Sequence, residues 1–314
     1  MIEPRKSERV YRTWTHDSTR WERYVPRAGD IVIATPPKCG TTWTQRIVSL
    51  LVFQSPAPCP VLEISPWVDA SFIGPIEPLV QGIDAQTHRR FLKSHLPLDG
   101  LPIYEEVRYI HVARDPRDAC MSFFNHLSAL TDPALDLIAA SAAPELGPYP
   151  RNFDDLHTFW RDWFTRGAQP QWRDGFPDVS FVDFETTYWR ARRRENLLLV
   201  HYNDLKADLD GEMRRIAAFL GIVTPAALWP QLVEAASFAA MKREGNIILG
   251  PLGALFEGGS DRFLFKGSNG RWKDELSADD LALADKLVIR FSPGLRRWVE
   301  GGRRVAGDPV TSVE

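Results

Sequence analysis

The sequence predicts a single α/β domain with a central parallel β-sheet flanked by helices, and three observations carry that prediction. Short apolar runs alternate with segments of helical periodicity, which is the pattern of strand–helix–strand units. Three stretches that stand out chemically, residues 35–43, 93–97 and 113–122, each follow one of those runs directly. Open parallel sheets bind their ligands at the carboxyl ends of their strands, so the three stretches are expected to share one crevice. No repeat, heptad run or distinct linker divides the 314 residues. The domain is therefore expected to span 1–314, with a core of about 30–276 and a C-terminal helix and tail over 277–314.

Taken in order, residues 1–29 are polar and aromatic without a clear period and predict an irregular lead-in. Ile31–Ala34 is an apolar run bounded by Gly29-Asp30 and Pro36-Pro37, as expected of a buried parallel strand. Residues 41–53 have helical spacing, with Trp43, Ile47, Leu50 and Leu51 on one side, and the proline-rich 56–60 ends the pattern. Further strands are expected at Arg90–Lys93, Val107–Ala113 and Leu197–Tyr202. Asp115 as N-cap and Pro116 at the first helical position start a helix that runs to about Leu127. Another is expected over Asp208–Leu220, closed by Gly221. In 153–164, Phe153, Leu156, Trp160, Trp163 and Phe164 fall at helical spacing. That fits a helix buried against the core, or a lid or acceptor-binding wall.

Composition narrows the function. With 44% hydrophobic and 25% charged residues the chain can bury a core, and a net charge of −3 gives no whole-protein attraction to nucleic acid. Any anion site must be local. Cys39, Cys59 and Cys120 form no CxxC and no Cys/His set with metal spacing, so a reducing compartment and no metal are expected. The first residues lack the apolar segment of a secretory signal, and the apolar stretch near Ile47–Phe53 is too short to span a bilayer. A cytoplasmic protein without a transmembrane segment is the expectation.

The stretch TPPKCGTTW, residues 35–43, follows the first strand and opens a helix. Such a turn aims free backbone N–H groups and the helix dipole at its contents. Gly40 permits close approach, Thr41 and Thr42 add hydroxyls, and Lys38 adds a charge. It is not a Walker A loop, because Lys38 precedes Gly40 instead of following it. Arg114, at the end of the third strand, can fork onto a phosphate, or pair with Asp118 at the helix end. Lys93 and His95 alternate on an extended segment and so point to the same side. Repulsion by the lysine favours the neutral imidazole that a general base requires. Lys266-Gly267 and Gly270 mark a basic, flexible loop.

Together these residues resemble the soluble sulfotransferases that use 3′-phosphoadenosine-5′-phosphosulfate (PAPS). PPKCGTTW is similar to the family's 5′-phosphosulfate loop, ARDPRDACMS to its 3′-phosphate block, LKSHLP to its catalytic KTHLP segment and FKGSNGRWK to its late RKGxxGDWK block. VHYNDLKADL and SFAAMK also match, and the resemblance runs in order from about residue 30 to 276. QRIVSLLVF, HRRFLKSH and RDPRDA look most like bacterial glycolipid sulfotransferases. The resemblance implies that Lys38, Cys39, Gly40, Thr41, Thr42 and Trp43 hold the phosphosulfate, with Trp43 also near the adenine. It implies Arg114 and Ser122 for the 3′-phosphate, Tyr202, Ser237, Phe238 and Met241 beside the adenine, and Lys266 and Gly267 closing over the 3′-phosphate. Lys93 would assist at the transferring group and His95 would be the base.

Several positions depart from the pattern. Cys39 replaces a serine, Phe265 stands where many members have an arginine, and Arg271 replaces an aspartate. Arg262 or Arg271 could supply the missing arginine. The KxxxTVxxxE dimer motif is not kept at Lys273, Ser277, Ala278 and Ala282, which leaves the oligomeric state open. The resulting expectation is sulfuryl transfer from PAPS, without a metal, to a hydroxyl of a glycolipid or other hydrophobic alcohol or phenol, with peripheral membrane contact permitted. The competing expectations are a P-loop-like nucleotide kinase and a non-enzymatic nucleotide-binding protein.

Overall fold

A computed structural model describes residues 3–151 and 153–313; the first two residues of the lead-in, Asn152 and Glu314 lie outside them. Four strands, β1 (Ile31–Ala34), β2 (Phe91–Ser94), β3 (Arg108–Ala113) and β4 (Leu197–His201), form one parallel sheet in the order β2-β1-β3-β4. Ile31 of β1 is level with Phe91 of β2 and Arg108 of β3, and Tyr109 of β3 with Leu197 of β4. All four residues of β1 are buried, because both faces of the sheet are covered and the strand has no solvent side to alternate with. Its alternation is instead between two cores. Ile31 and Ile33 join one apolar cluster and Val32 and Ala34 the other.

Helix α1 (Thr41–Phe53) packs on the first of these faces, burying Ile47, Leu50 and Leu51 with Trp43 as the spacing predicts. The helix Pro116–Leu127 begins as expected, with the Asp115 side chain accepting from the Arg117 N–H. The aromatic helix Leu156–Thr165 buries Phe159, Trp160, Trp163 and Phe164 in the second cluster and contributes no residue to the large cavity described below. Boundaries move by a residue or two. β2 runs one residue later than expected, β3 starts at Arg108, and Tyr202 opens the helix Tyr202–Ala207 instead of ending β4. Asp208 proves to be the N-cap of the helix Leu209–Leu220, and Gly221 closes it with φ 64°.

Two segments carry more structure than expected. The lead-in buries Tyr11, Trp21 and Tyr24 and contains a 3₁₀ turn, Ser18–Arg23. Residues 277–313 are not one helix and a tail but three helices, Ala278–Val288, Pro293–Gly301 and Arg303–Ala306. Trp298 and Val299 from this region are core residues, and the Val299 carbonyl accepts from His201 Nε2 at 2.9 Å.

Candidate active site

The strand order makes the site. β1 lies between β2 and β3, so the connections leaving it diverge and open a crevice at its carboxyl end. The segments that follow β1, β2, β3 and β4 all reach this crevice, a cavity of about 660 Å³. In the first of them Lys38 (φ 67°) and Gly40 (φ 110°) both take left-handed backbone. Glycine is required at the second, since a Cβ there would also lie 3.1 Å from the Tyr202 ring. No side chain caps α1, so its first-turn N–H groups are left for a ligand at the end of the helix dipole. The Thr41 hydroxyl is tied to that of Thr35 at 2.5 Å, and Thr42 lines the cavity beside it.

Cations converge on this turn. Lys38 Nζ donates to His126 Nδ1 at 3.3 Å and stands 4.5 Å from the Phe263 ring centre. Burial, with the charges of Arg114 and Lys93, pushes its pKa down to about 7. Lys93 Nζ lies 4.0 Å from the centre of the Trp67 ring, and burial brings it to about 8. Arg114 donates from Nη1 to the Lys38 carbonyl (2.8 Å) and from Nη2 to Asn269 Oδ1 (2.8 Å), and its guanidinium stacks 4.0 Å over Tyr202. It makes no pair with Asp118, which accepts instead from the Gly270 N–H at 2.6 Å. Arg114 Nε is buried without a partner. Two buried lysines with depressed pKa values, Arg114 beside them and the unpartnered Arg114 Nε form a cradle suited to an anion.

His95 sits just past β2. Its backbone N–H donates to Asp69 at 3.0 Å and its Nδ1–H to the Thr35 carbonyl at 2.6 Å, which leaves Nε2 for a substrate. Burial, then Lys93 and His16, hold its pKa well below the ordinary histidine value, so the ring is neutral at pH 7.

The late loop closes the cradle. Asn269 donates to Asn203 at 2.6 Å, Lys206 donates to the Gly267 carbonyl at 2.8 Å, and Lys242 to that of Phe265 at 3.0 Å. Gly267 (φ 61°) packs so tightly on Phe238 that a Cβ would lie 2.8 Å from the ring. Of the two arginines that could replace the one missing at 265, Arg271 lines the cavity, whereas Arg262 reaches Ser128 at 3.4 Å.

Most expected residues therefore meet in one place: Lys38, Gly40, Thr41, Thr42, Trp43, Lys93, His95, Arg114, Ser122, Tyr202, Phe238, Met241, Lys266 and Gly267 all line the cavity. Two do not. Cys39 is fully buried behind the turn, where burial pushes its thiol pKa well up, and Ser237 Oγ is engaged as N-cap by the Ala240 N–H. The sequence reading missed His126, although it lies four residues after Ser122 and hence on the same helix face. It also missed His16, Trp67 and Asp178, which arrive from segments without a motif. Away from these polar groups the cavity wall is mainly apolar, with Phe72, Leu79, Leu130, Ile138, Leu255 and Phe256. Among the described residues, no cluster of His, Cys, Asp and Glu is arranged to hold a metal ion, and no helix is long and apolar enough to cross a membrane.

Comparison with known proteins agrees with this geometry. The chain is 36% identical over 313 residues to a glycolipid sulfotransferase of Mycobacterium bovis, covering 94% of this chain and 95% of that protein. It is 26% identical to cytosolic sulfotransferase 1 of Danio rerio over 83% of each chain. Among solved structures, retinol dehydratase in a complex with retinol and PAP shares the fold, with a TM-score of 0.65, 24% identity, and 85% and 82% of the two chains covered. The sulfotransferase domain matches residues 28–290, and with that span and those relatives the chain belongs to the sulfotransferase family.

Proposed function

We propose that the chain transfers the sulfuryl group of PAPS to a hydroxyl of a hydrophobic, lipid-like acceptor, with His95 as the general base. Sulfuryl transfer from PAPS comes with the family; the residue roles and the acceptor are our reading. PAPS supplies the sulfuryl group and leaves as adenosine 3′,5′-bisphosphate. The N–H groups at the start of α1, Thr42 and Lys38 would hold the phosphosulfate, and Arg114, Ser122, Lys266 and Arg271 the 3′-phosphate. Trp43, Tyr202, Phe238 and Met241 supply the apolar surface for the adenine. His95 Nε2 takes the proton of the acceptor hydroxyl as its oxygen bonds to sulfur and the sulfur–oxygen bond to the phosphate breaks. Lys38 and Lys93 offset the charge growing on the phosphate and sulfuryl oxygens, a class of preorganised contact worth about 10²–10³ in rate.

The observation that carries this reading is the neutral, Thr35-oriented His95 beside Lys93 at the border between a cationic cradle and an apolar cavity. The apolar half supports a lipid acceptor, and the mycobacterial relative, a glycolipid sulfotransferase, points the same way. Ile73 and Leu137, 39% and 44% exposed, line the cavity and give an acyl chain an apolar path outward. The test uses radiolabelled PAPS with hydroxylated lipids. His95→Ala is expected to lose about 10²–10⁴ in turnover while keeping its affinity for the bisphosphate. Near-normal transfer by that variant overturns the base assignment.

A further inference from the structure

A buried carboxylate stands behind both residues that the proposed mechanism puts at the transferring group. Residues 66–68 run beside β2 as an added extended segment. The Lys93 N–H donates to the Pro66 carbonyl at 2.9 Å, and the Val68 N–H to the Lys93 carbonyl at 3.2 Å. Trp67 and Lys93 are thereby partners in a parallel bridge. Residues two apart on extended chain share a face, so Asp69 falls on the side of Trp67 and His95 on that of Lys93. The contacts follow this register. Lys93 Nζ lies 4.0 Å from the centre of the Trp67 ring, and the indole N–H of that ring donates to Asp69 Oδ2 at 2.8 Å. The backbone N–H of His95 donates to the same oxygen at 3.0 Å, and Trp21 Nε1 donates to Oδ1 at 3.0 Å.

Asp69 is fully buried and does not line the cavity. Its three partners are all N–H donors, which fit the carboxylate and not the acid. A buried negative charge is costly unless a positive one stands near it. The Trp67 ring joins it to one, since the carboxylate takes the N–H at the ring's edge and the ammonium stands over its face. A carboxylate on the N–H enriches that face in electrons and so strengthens its hold on the cation. Burial brings Lys93 down to about 8, and the charge of Asp69 opposes that shift. Asp69 acts on His16 and Arg20 as well. The other groups that interact with the Lys93 charge are Lys38, His16, His95 and His126, and none of them is an anion. Asp178 reaches this group through His16, to which it is paired at 2.9 Å.

We propose that Asp69 is a positioning residue of sulfuryl transfer, holding the Lys93 ammonium in place through Trp67 and serving as its counter-charge at the point where it also ties the backbone of His95. The inference rests on the sulfuryl-transfer reading above and adds to it a residue outside the cavity. Asp69 acts on the reacting groups only through Lys93 and His95.

The test reads the affinity for adenosine 3′,5′-bisphosphate by titration calorimetry at pH 6 and pH 8, which needs no acceptor. Loss of a nearby counter-charge lowers a lysine pKa by about one unit or more. A Lys93 that titrates near 7 stays charged at pH 6 but keeps only about a tenth of its charge at pH 8, against about half in the wild type. Asp69→Asn is therefore expected to bind within about twofold of the wild type at pH 6 and about fivefold more weakly at pH 8. In a Lys93→Met background the same substitution should change the affinity by one factor at both pH values. Trp67→Phe keeps the ring and removes the N–H, and should bind about twofold more weakly at pH 8 with no loss at pH 6. That variant decides the matter if Asp69→Asn does not fold. An equal loss at both pH values in Asp69→Asn, no loss at all, or a pH-dependent loss that persists in the Lys93→Met background overturns the inference. Wild-type affinity of Trp67→Phe at pH 8 overturns it as well. A wild type that binds the bisphosphate at neither pH overturns the parent reading instead.

Discussion

Binding of the nucleotide should take up protons, and the amount follows from the two buried lysines. In the free site Lys38 titrates at about 7 and Lys93 at about 8. A bound bisphosphate restores both ammonium groups, so their pKa values are higher in the complex than in the free protein. Affinity is then full below the free values and is lost as the pH rises through them toward the bound ones. At pH 8 the free site lacks about 0.9 proton at Lys38 and about 0.5 at Lys93, so binding should take up about 1.4 protons. Between pH 7 and 8 the charged fraction falls about fivefold at Lys38 and about twofold at Lys93, a combined loss of about tenfold in affinity, or about 1.4 kcal/mol. The ligand's own phosphates, with a second pKa of about 6, are already ionised across this window. His126, which burial keeps far below that range, stays neutral and adds nothing. Titration calorimetry with adenosine 3′,5′-bisphosphate, in two buffers of different ionisation enthalpy, reads both affinity and protons. Lys38→Met should reduce the dependence to about twofold, the share of Lys93. An affinity that does not change between pH 7 and 8, with heats independent of the buffer, would refute the argument.

Arg271 and Arg262 separate by position. Arg271→Ala should weaken bisphosphate binding by about 10-fold or more, the value of a charge-assisted hydrogen bond, and Arg262→Ala by less than about twofold. Equilibrium binding of the two variants checks this, and the reverse ranking would mean that Arg262 replaces the arginine missing at Phe265. Peroxide treatment should leave bisphosphate affinity unchanged, because Cys39 is fully buried with its thiol pKa pushed well up by burial and so offers little thiolate. A loss of affinity that a thiol reductant restores would contradict this.

The parts of the fold that were legible in the sequence are those whose local chemistry decides them. Ile31–Ala34 has no polar residue to place, and Asp115-Pro116 can start a helix but cannot continue a strand. The same holds for the site: Lys38, Lys93, His95 and Arg114 could be grouped because each directly follows or ends a strand, and parallel strands bring those ends together. What stayed hidden depends on contacts over long separations. The pairing of His16 with Asp178 spans the chain, and Trp67 reaches Lys93 through an isolated bridge beside β2. Cys39 and Ser237 lie inside matching motifs yet do not line the cavity, one packing in the core and the other capping a helix, since a motif fixes neighbours along the chain and not what each side chain touches. Residues 277–313 were underread because their capping box, Ser277 with Asp280, and the buried Trp298 gain meaning only against the core they cover.

The two halves of the cavity are anchored to the rest of the molecule very differently. The cationic half rests on α1, ten of whose residues are buried, and on the ends of sheet strands. The apolar half, the proposed acceptor side, is walled in part by the helix Ile76–Ala85, with only Ile83 buried, and by the turn Gly250–Leu255, with no buried residue. Elements with so little buried surface open locally at low free-energy cost, while the strands open only with the whole domain. Amide hydrogen exchange should therefore be fast over 76–85 and 250–255 and slow at β1 and α1. Substitutions in those walls can reshape the acceptor space without disturbing the donor cradle, so the choice of acceptor can drift during evolution while the chemistry stays fixed.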